Sequence, residues 1–147
     1  MANMTDYLET ALIGHLFRTA TYTKPTQLGI ALSTATQSDA CTGGSMSEVA
    51  NSAGYGRMPL PPLDTNWAVV TGTGSGPGAS QTSNTPAISF TQATGSWGTV
   101  TTVVITDNNT YGAGNALFYG DLTVSKAVTS GDTFSFASGA LTVQLDN

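Results

Sequence analysis

Side chains that carry chemistry are scarce in this chain of 147 residues. It has one histidine, His15, one cysteine, Cys41, four basic residues and nine acidic residues. Catalysis, metal binding and nucleic-acid recognition draw on these residue types. Threonine, serine and glycine take their place, with 25, 14 and 17 copies. The composition therefore indicates a structural or binding protein and not an enzyme, and it predicts no catalytic residue, no cofactor-binding residue and no metal ligand.

Charge is also sparse, at 9% of residues against about 25% in a typical soluble protein. The formal net charge is −5, and the four basic residues (Arg18, Lys24, Arg57 and Lys126) are scattered, so we expect no nucleic-acid partner. No apolar run approaches the ~20 residues of a membrane helix, which predicts no membrane partner. The N-terminal residues show no signal-peptide pattern, so we expect synthesis in a host cytoplasm without Sec export.

A hydrophobic content of 39% argues against disorder, which combines low hydrophobicity with high net charge. We expect one folded domain over residues 1–147, with flexible loops at about 34–54 and 72–83. A single cysteine excludes an internal disulfide.

One helix is predicted, at about residues 6–18. Its apolar residues recur at intervals of three and four, namely Tyr7, Leu8, Ala11, Leu12, Leu16 and Phe17. Either Asp6 or Thr5 could be the N-cap, and Arg18 in the last turn suits the carbonyl end of the helix dipole. Proline at position 25, after a run rich in threonine, ends the pattern.

Strands are predicted after the helix, because apolar residues alternate with polar ones there and glycine-rich turns separate the segments. The predicted strands are Gln27–Ser33, Tyr55–Leu60, Trp67–Thr71, Ala87–Thr91, Gly98–Asp107, Asn115–Leu122, Thr123–Val128, Asp132–Ala137 and Leu141–Asp146. Many short strands with regular turns predict a mainly-β fold, an antiparallel β-sandwich or jelly roll with one N-terminal helix.

Several short patterns resemble functional sites, and a structural interpretation is favoured for each. His15 has no second ligand at a metal-binding spacing. The segment Asp107–Gly112 begins like a calcium loop but lacks the glutamate at position twelve, which favours a β-turn. Gly72–Gly78 lacks the lysine of a phosphate-binding loop, and Cys41 suits a loop position better than a reactive thiol.

Two sugar-directed alternatives stay open but are disfavoured. Scattered carboxylates could cleave glycans, although nothing in the sequence pairs them. Trp67, Trp97 and Tyr119 could form a sugar-stacking face, although aromatic residues in strands more often belong to the core.

The chain also resembles a family of small tailed-bacteriophage proteins commonly described as tail fibre proteins, and it is similar to small β-sandwich proteins that decorate phage heads. The resemblance lies in Met1–Ala20, Thr23–Thr26, Leu28–Thr34, Asn84–Phe90, Ser96–Val100, Ala116–Leu122, Lys126–Val128, Ser130–Phe134 and Gly139–Val143. It implies a virion component, since the shared residues are turn glycines and core aromatics and not a catalytic signature.

The leading hypothesis from this resemblance is a capsid decoration (cement) protein on the outer surface of the phage head. Its partners would be the major capsid protein and further copies of itself, as a homotrimer or homodimer. The alternative is a tail fibre or tail-tip protein that contacts the host surface through the loops at residues 34–52 and 72–83.

Overall fold

The computed structural model describes residues 3–72 and 80–145, which contain one helix and nine antiparallel strands. The helix is α1 (Asp6–Phe17). The strands are β1 (Asn3–Met4), β2 (Gly29–Ser33), β3 (Met58–Pro59), β4 (Gln81–Ser83), β5 (Ile88–Ser89), β6 (Gly98–Thr106), β7 (Ala116–Val128), β8 (Ser135–Phe136) and β9 (Thr142–Gln144). This confirms the predicted mainly-β fold with one N-terminal helix.

A five-stranded sheet in the order β1-β7-β6-β2-β3 forms the larger layer. Two separate two-stranded ladders, β4–β9 and β5–β8, supply the other strands. The arrangement is consistent with a β-sandwich. The described strands do not show the eight-stranded double Greek key of a jelly roll, so that variant of the prediction is not confirmed.

The main core packs against one face of the large sheet. On β2 and β6, Ile30 and Leu32 pair with Ile105 and Val103, and all four side chains are buried together. The two ladders and their connections bring further aromatic and aliphatic side chains to this core, namely Ile88, Phe90, Trp97, Phe134, Leu141 and Val143. Alternation along the strands therefore separates a core face from the opposite face of the sheet.

The opposite face is covered in part by the segment at residues 34–54. Cys41 and Met46 from this segment pack on Ala31, Val104 and Ala116 of the sheet. The segment predicted as a flexible loop thus contributes to a second, smaller hydrophobic cluster.

The helix is attached to the sheet at its N-terminal end. Thr5, and not Asp6, is the N-cap, since its hydroxyl accepts from the Leu8 N–H at 3.4 Å and donates to the Ala116 carbonyl at 2.6 Å. The Asp6 N–H donates to the Asp39 carbonyl at 2.9 Å. Within α1 only Leu8 is buried. In the described part of the chain, no helix is long and apolar enough to cross a membrane.

The strand boundaries differ from the sequence predictions at several places. The predicted strands Asn115–Leu122 and Thr123–Val128 are one continuous strand, β7, and neither glycine nor proline stands at the predicted break between Leu122 and Thr123. Trp67–Thr71 makes only isolated bridges at its two ends, and its middle residues face solvent. The predicted loop at 72–83 ends in a strand, β4, because Gln81–Ser83 find a partner in β9.

Candidate functional site

The rare reactive side chains do not converge on one site. His15 is exposed, and its Nδ1 accepts a hydrogen bond from the Tyr22 N–H at 3.3 Å. Cys41 is buried, and that burial raises the pKa of its thiol. Among residues 3–72 and 80–145, no group of three histidine, cysteine or acidic side chains could hold a metal ion.

The segment beginning at Asp107 is a turn, as predicted. Both carboxylate oxygens of Asp107 accept from Asn115, one from its N–H at 2.7 Å and the other from its side-chain amide at 2.8 Å. The Ala113 N–H donates to the Thr110 carbonyl, which closes the turn. The glycine-rich segment at 72–78 lies outside the described residues apart from Gly72.

A buried ion pair holds the loops at this end of the sheet. Arg57 donates to both carboxylate oxygens of Glu48, at 2.8 and 2.7 Å, and both side chains are almost wholly buried. The same guanidinium also donates to the carbonyls of Gly43, Asn108 and Ala113. Because the hydrogen bonds of the Arg57 guanidinium go to groups of the same chain, the ion pair has a structural role and leaves no free charge for a ligand.

The three aromatic residues considered for sugar stacking do not share an exposed face. Trp97 is buried in the main core, and its Nε1–H donates to the Ala53 carbonyl at 2.9 Å. Trp67 packs against that core, while Tyr119 packs against the second cluster on the opposite face of the sheet. Among the fully buried side-chain nitrogen and oxygen atoms of the described residues, Trp67 Nε1 alone has no hydrogen-bond partner. The favoured interpretation as a core residue is confirmed for Trp97, whereas Trp67 and Tyr119 are partly buried and pack against the two clusters.

The most prominent exposed feature is apolar and lies on α1. We use the name α1 ridge for Ile13, Leu16 and Phe17, whose side chains are 59, 70 and 79% exposed. Their i, i+3, i+4 spacing places them side by side on one side of the helix. The sequence contained the signal for this surface, because Leu8 and Phe17 are nine residues apart and at about 100° per residue they lie on opposite sides of the helix. Only the side with Leu8 is buried.

Comparison with known proteins gives one family match. The model of the family described as "Gp80: Podophage GP4 fiber I protein gp80" matches residues 3–144. No curated protein matches the chain.

Proposed function

Because the chain belongs to the Gp80 family of podophage fiber proteins, we propose that it is a component of a phage fibre and joins the virion through the α1 ridge. Family membership makes the chain a phage virion structural protein. The fibre role is inferred from the family's name, which describes the podophage GP4 protein as a fiber protein. The exposure of the α1 ridge is the observation that carries the proposed mode of attachment.

Burial of the ridge would supply a large part of the free energy of docking. Removing one Leu, Ile or Phe side chain from water stabilises by about 1.5–3 kcal/mol. Amphipathic helices bind in apolar grooves through anchor residues at i, i+3 and i+4, and the residues of the α1 ridge have this spacing. The ridge therefore fits an apolar groove on another virion protein.

The attachment of α1 leaves this ridge available. The helix is fixed where it begins, through the cap at Thr5 and the buried Leu8, and it packs against β7 there. Toward its end the observed polar contacts are local, since the Arg18 N–H donates to the Gly14 carbonyl and His15 accepts from Tyr22. The last turns thus keep the apolar side that carries the α1 ridge in solvent.

We further propose that the protein has no catalytic activity. The support is the use of its scarce reactive groups: Arg57 and Glu48 bond internally, Cys41 is buried, and Asp107 closes a turn.

Capsid decoration is the second candidate function, and it rests on the similarity of this sequence to small head-decorating β-sandwich proteins. A decoration protein binds assembled shell but not separated subunits, so it stabilises the shell by RT ln(1 + [L]/Kd). The α1 ridge would then contact the major capsid protein. Fibre and head roles differ in location, which experiment can distinguish.

The first prediction concerns the ridge. In phage that carry the double change Leu16→Glu and Phe17→Glu, we expect the amount of protein in purified virions to fall on the order of tenfold or more, because 1.4 kcal/mol of docking free energy is tenfold in affinity. Quantitative mass spectrometry of the virions measures this amount.

The control is the double change Val69→Glu and Val70→Glu, which places the same two charges on adjacent side chains that are 84 and 68% exposed elsewhere on the surface. It should enter virions at the wild-type level. Both variants should keep the wild-type circular dichroism spectrum. Wild-type incorporation of the ridge variant would overturn the proposed attachment.

Location is tested on virions whose heads and tails have been separated. A fibre component should be found in the tail fraction, and antibody-gold particles should label fibres on intact phage. Recovery with the heads would instead establish the decoration role.

A further inference from the structure

The exposed side of α1 is acidic where the helix begins and apolar where it ends, and we infer that its partner is a protein groove with basic residues at one end. We use the name acidic end for the exposed residues Asp6, Glu9 and Asp39. The apolar part of the groove would bind the α1 ridge, and its lysine or arginine residues would face the acidic end. This inference rests on the proposed attachment through the ridge, because it names the chemistry of the partner at that same surface.

Acidic and apolar side chains follow one another along one side of the helix. Asp6 and Glu9 are three residues apart, and Ile13 and Leu16 continue the row at intervals of four and three. Side chains at these intervals are neighbours on a helix surface. At 1.5 Å per residue, Asp6 and Phe17 are about 16 Å apart along the helix axis. A partner that covers this side of α1 therefore meets charge at one end and apolar surface at the other.

A third carboxylate reaches the first turn of α1 from the loop at 34–54. The Asp6 N–H donates to the Asp39 carbonyl at 2.9 Å, so these two residues lie side by side. Burial raises the pKa of Tyr119, and the charges of Asp39 and Glu9 raise it further, which places both carboxylates near that hydroxyl. The three negative charges thus belong to one patch of the surface.

The chain does not balance the acidic end with positive charge of its own. Within residues 3–72 and 80–145, the only ion pair joins Arg57 to Glu48. No group of three acidic, histidine or cysteine side chains in those ranges could hold a metal ion. The N-terminus of the helix supplies the equivalent of about half a positive charge, against three carboxylates. Spaced lysine or arginine residues on a partner protein would provide the complementary charge.

The use of the four basic residues argues against a second copy of this chain as that partner. Arg57 is buried in its ion pair, and Lys24 and Lys126 each donate to a main-chain carbonyl of the same chain. Arg18 remains, which is one cation against three carboxylates. Nucleic acids and anionic lipids carry negative charge and would be repelled by the acidic end. The charges therefore favour a different protein of the virion.

Binding of the purified protein to virions grown without it tests this inference. The charge variant is the double change Glu9→Gln and Asp39→Asn, which removes two charges and keeps Asp6 at the start of the helix. At about 0.1 M NaCl it should bind about 2- to 30-fold more weakly than wild type, because one exposed ion pair changes an affinity by a factor of about 1.4 to 5. The reversal Glu9→Lys and Asp39→Lys should bind more weakly still.

Salt distinguishes contact with a basic partner from a merely structural role of these carboxylates. Wild-type affinity should fall as NaCl rises from about 0.1 to 1 M, since the Debye length shortens from about 10 to 3 Å. The charge variant should depend less on salt, whereas a variant that only weakened the helix would lose affinity equally at every salt concentration. Asp64→Asn is the matched control, because Asp64 is an exposed acid elsewhere on the surface, and it should keep the wild-type affinity and salt dependence.

The ridge variant, Leu16→Glu and Phe17→Glu, makes this inference and the proposed attachment fail in different ways. It should bind poorly at every salt concentration. If it does so while the charge variant keeps the wild-type affinity and salt dependence, the basic partner is overturned and attachment through the ridge stands. Tighter binding of the charge variant would also overturn the basic partner. Wild-type binding of the ridge variant would overturn the attachment itself, and the basic groove with it.

Discussion

Arg57 connects more of the chain than any other side chain for which hydrogen bonds are described. It joins Glu48 to the loop carbonyls of Gly43, Asn108 and Ala113. Removing one partner of such a buried pair is destabilising by about 3–5 kcal/mol, because the remaining charge has lost its compensation. Sequence patterns could not identify the pair, since Glu48 and Arg57 lie nine residues apart in segments without periodicity.

The phenol of Tyr55 completes this network and makes stability depend on alkaline pH. Its hydroxyl donates to Glu48 Oε1 at 2.9 Å and accepts from the Leu32 N–H at 3.0 Å. Burial, and then the nearby charge of Glu48, raise the pKa of Tyr55 far above its ordinary value. The folded protein therefore keeps this proton at a pH at which the unfolded chain has released it.

The second prediction follows from the sign of this shift. Below about pH 10 Tyr55 is neutral in both states and its full contribution is present, whereas above that pH the unfolded chain ionises and the free energy of unfolding falls. Tyr55→Phe should lower that free energy at pH 7 by on the order of 1–3 kcal/mol, because the Leu32 N–H loses its acceptor. Above about pH 10, the free energy of unfolding of this variant should also fall less steeply with pH than that of the wild type, by up to about 1.4 kcal/mol per pH unit.

Urea unfolding of both proteins between about pH 8 and 11 measures the two effects. Tyr22 and Tyr119, whose pKa values are also raised by burial, are present in both proteins and cancel in the comparison. Parallel alkaline slopes for wild type and variant would contradict this account of Tyr55.

At the scale of elements, the loop at 34–54 depends on a close backbone approach at Gly43. Its N–H donates to the Gly114 carbonyl at 3.1 Å, and its own carbonyl accepts from Arg57 at 2.7 Å. A Cβ atom at position 43 would overlap the carbonyl oxygens of Ala113 and Gly114. Only glycine lets this loop lie against the β6–β7 connection.

The third prediction compares two glycine substitutions. Gly43→Ala should lower the free energy of unfolding by roughly 1–3 kcal/mol, since the added methyl forces two loops apart. Gly56→Ala is the control: no atom lies within 4 Å of a Cβ built there, so its stability should be unchanged or raised by about 0.4–1 kcal/mol. Chemical denaturation of both variants measures the difference, and equal effects would contradict the proposed approach at Gly43.

Elements with strong local signals could be predicted, and elements set by distant partners could not. Helix α1, the strands β2 and β6 and the two halves of β7 follow from periodicity that the residues themselves carry. β1 has two residues and exists because Asn3 and Met4 reach β7, more than a hundred residues away. β4 likewise depends on β9, and a strand whose pairing is so distant leaves no local pattern.

In the candidate site, too, local signals could be predicted and features set by distant contacts could not. The sequence identified the apolar residues of α1, including Leu16 and Phe17, but the side of the helix that reaches solvent depends on how α1 attaches to β7. The continuity of β7 was not predicted either, because it depends on pairing with β6 and not on the strand itself. The segment was instead divided into two strands.

At the scale of the whole molecule, the scarce reactive side chains serve the fold, whereas the α1 ridge is left in solvent. The α1 ridge is a row of side chains on a helix, suited to an apolar groove in another protein. Docking through this row would not require the large sheet to rearrange, since α1 is anchored at Thr5 and Leu8 and not through the ridge.

The final prediction is that incorporation into virions and stability of the fold respond to different residues. The Leu16→Glu, Phe17→Glu variant should stay within about 1 kcal/mol of the wild-type free energy of unfolding, since both side chains are already in solvent and only the helix dipole disfavours the new charges. Its incorporation should nevertheless fall. Gly43→Ala should lower the free energy of unfolding but enter virions near the wild-type level, because it leaves the α1 ridge unchanged. Urea unfolding of the purified proteins and mass spectrometry of virions provide the comparison, and a ridge variant that loses stability as well would show that these side chains serve the fold and not only docking.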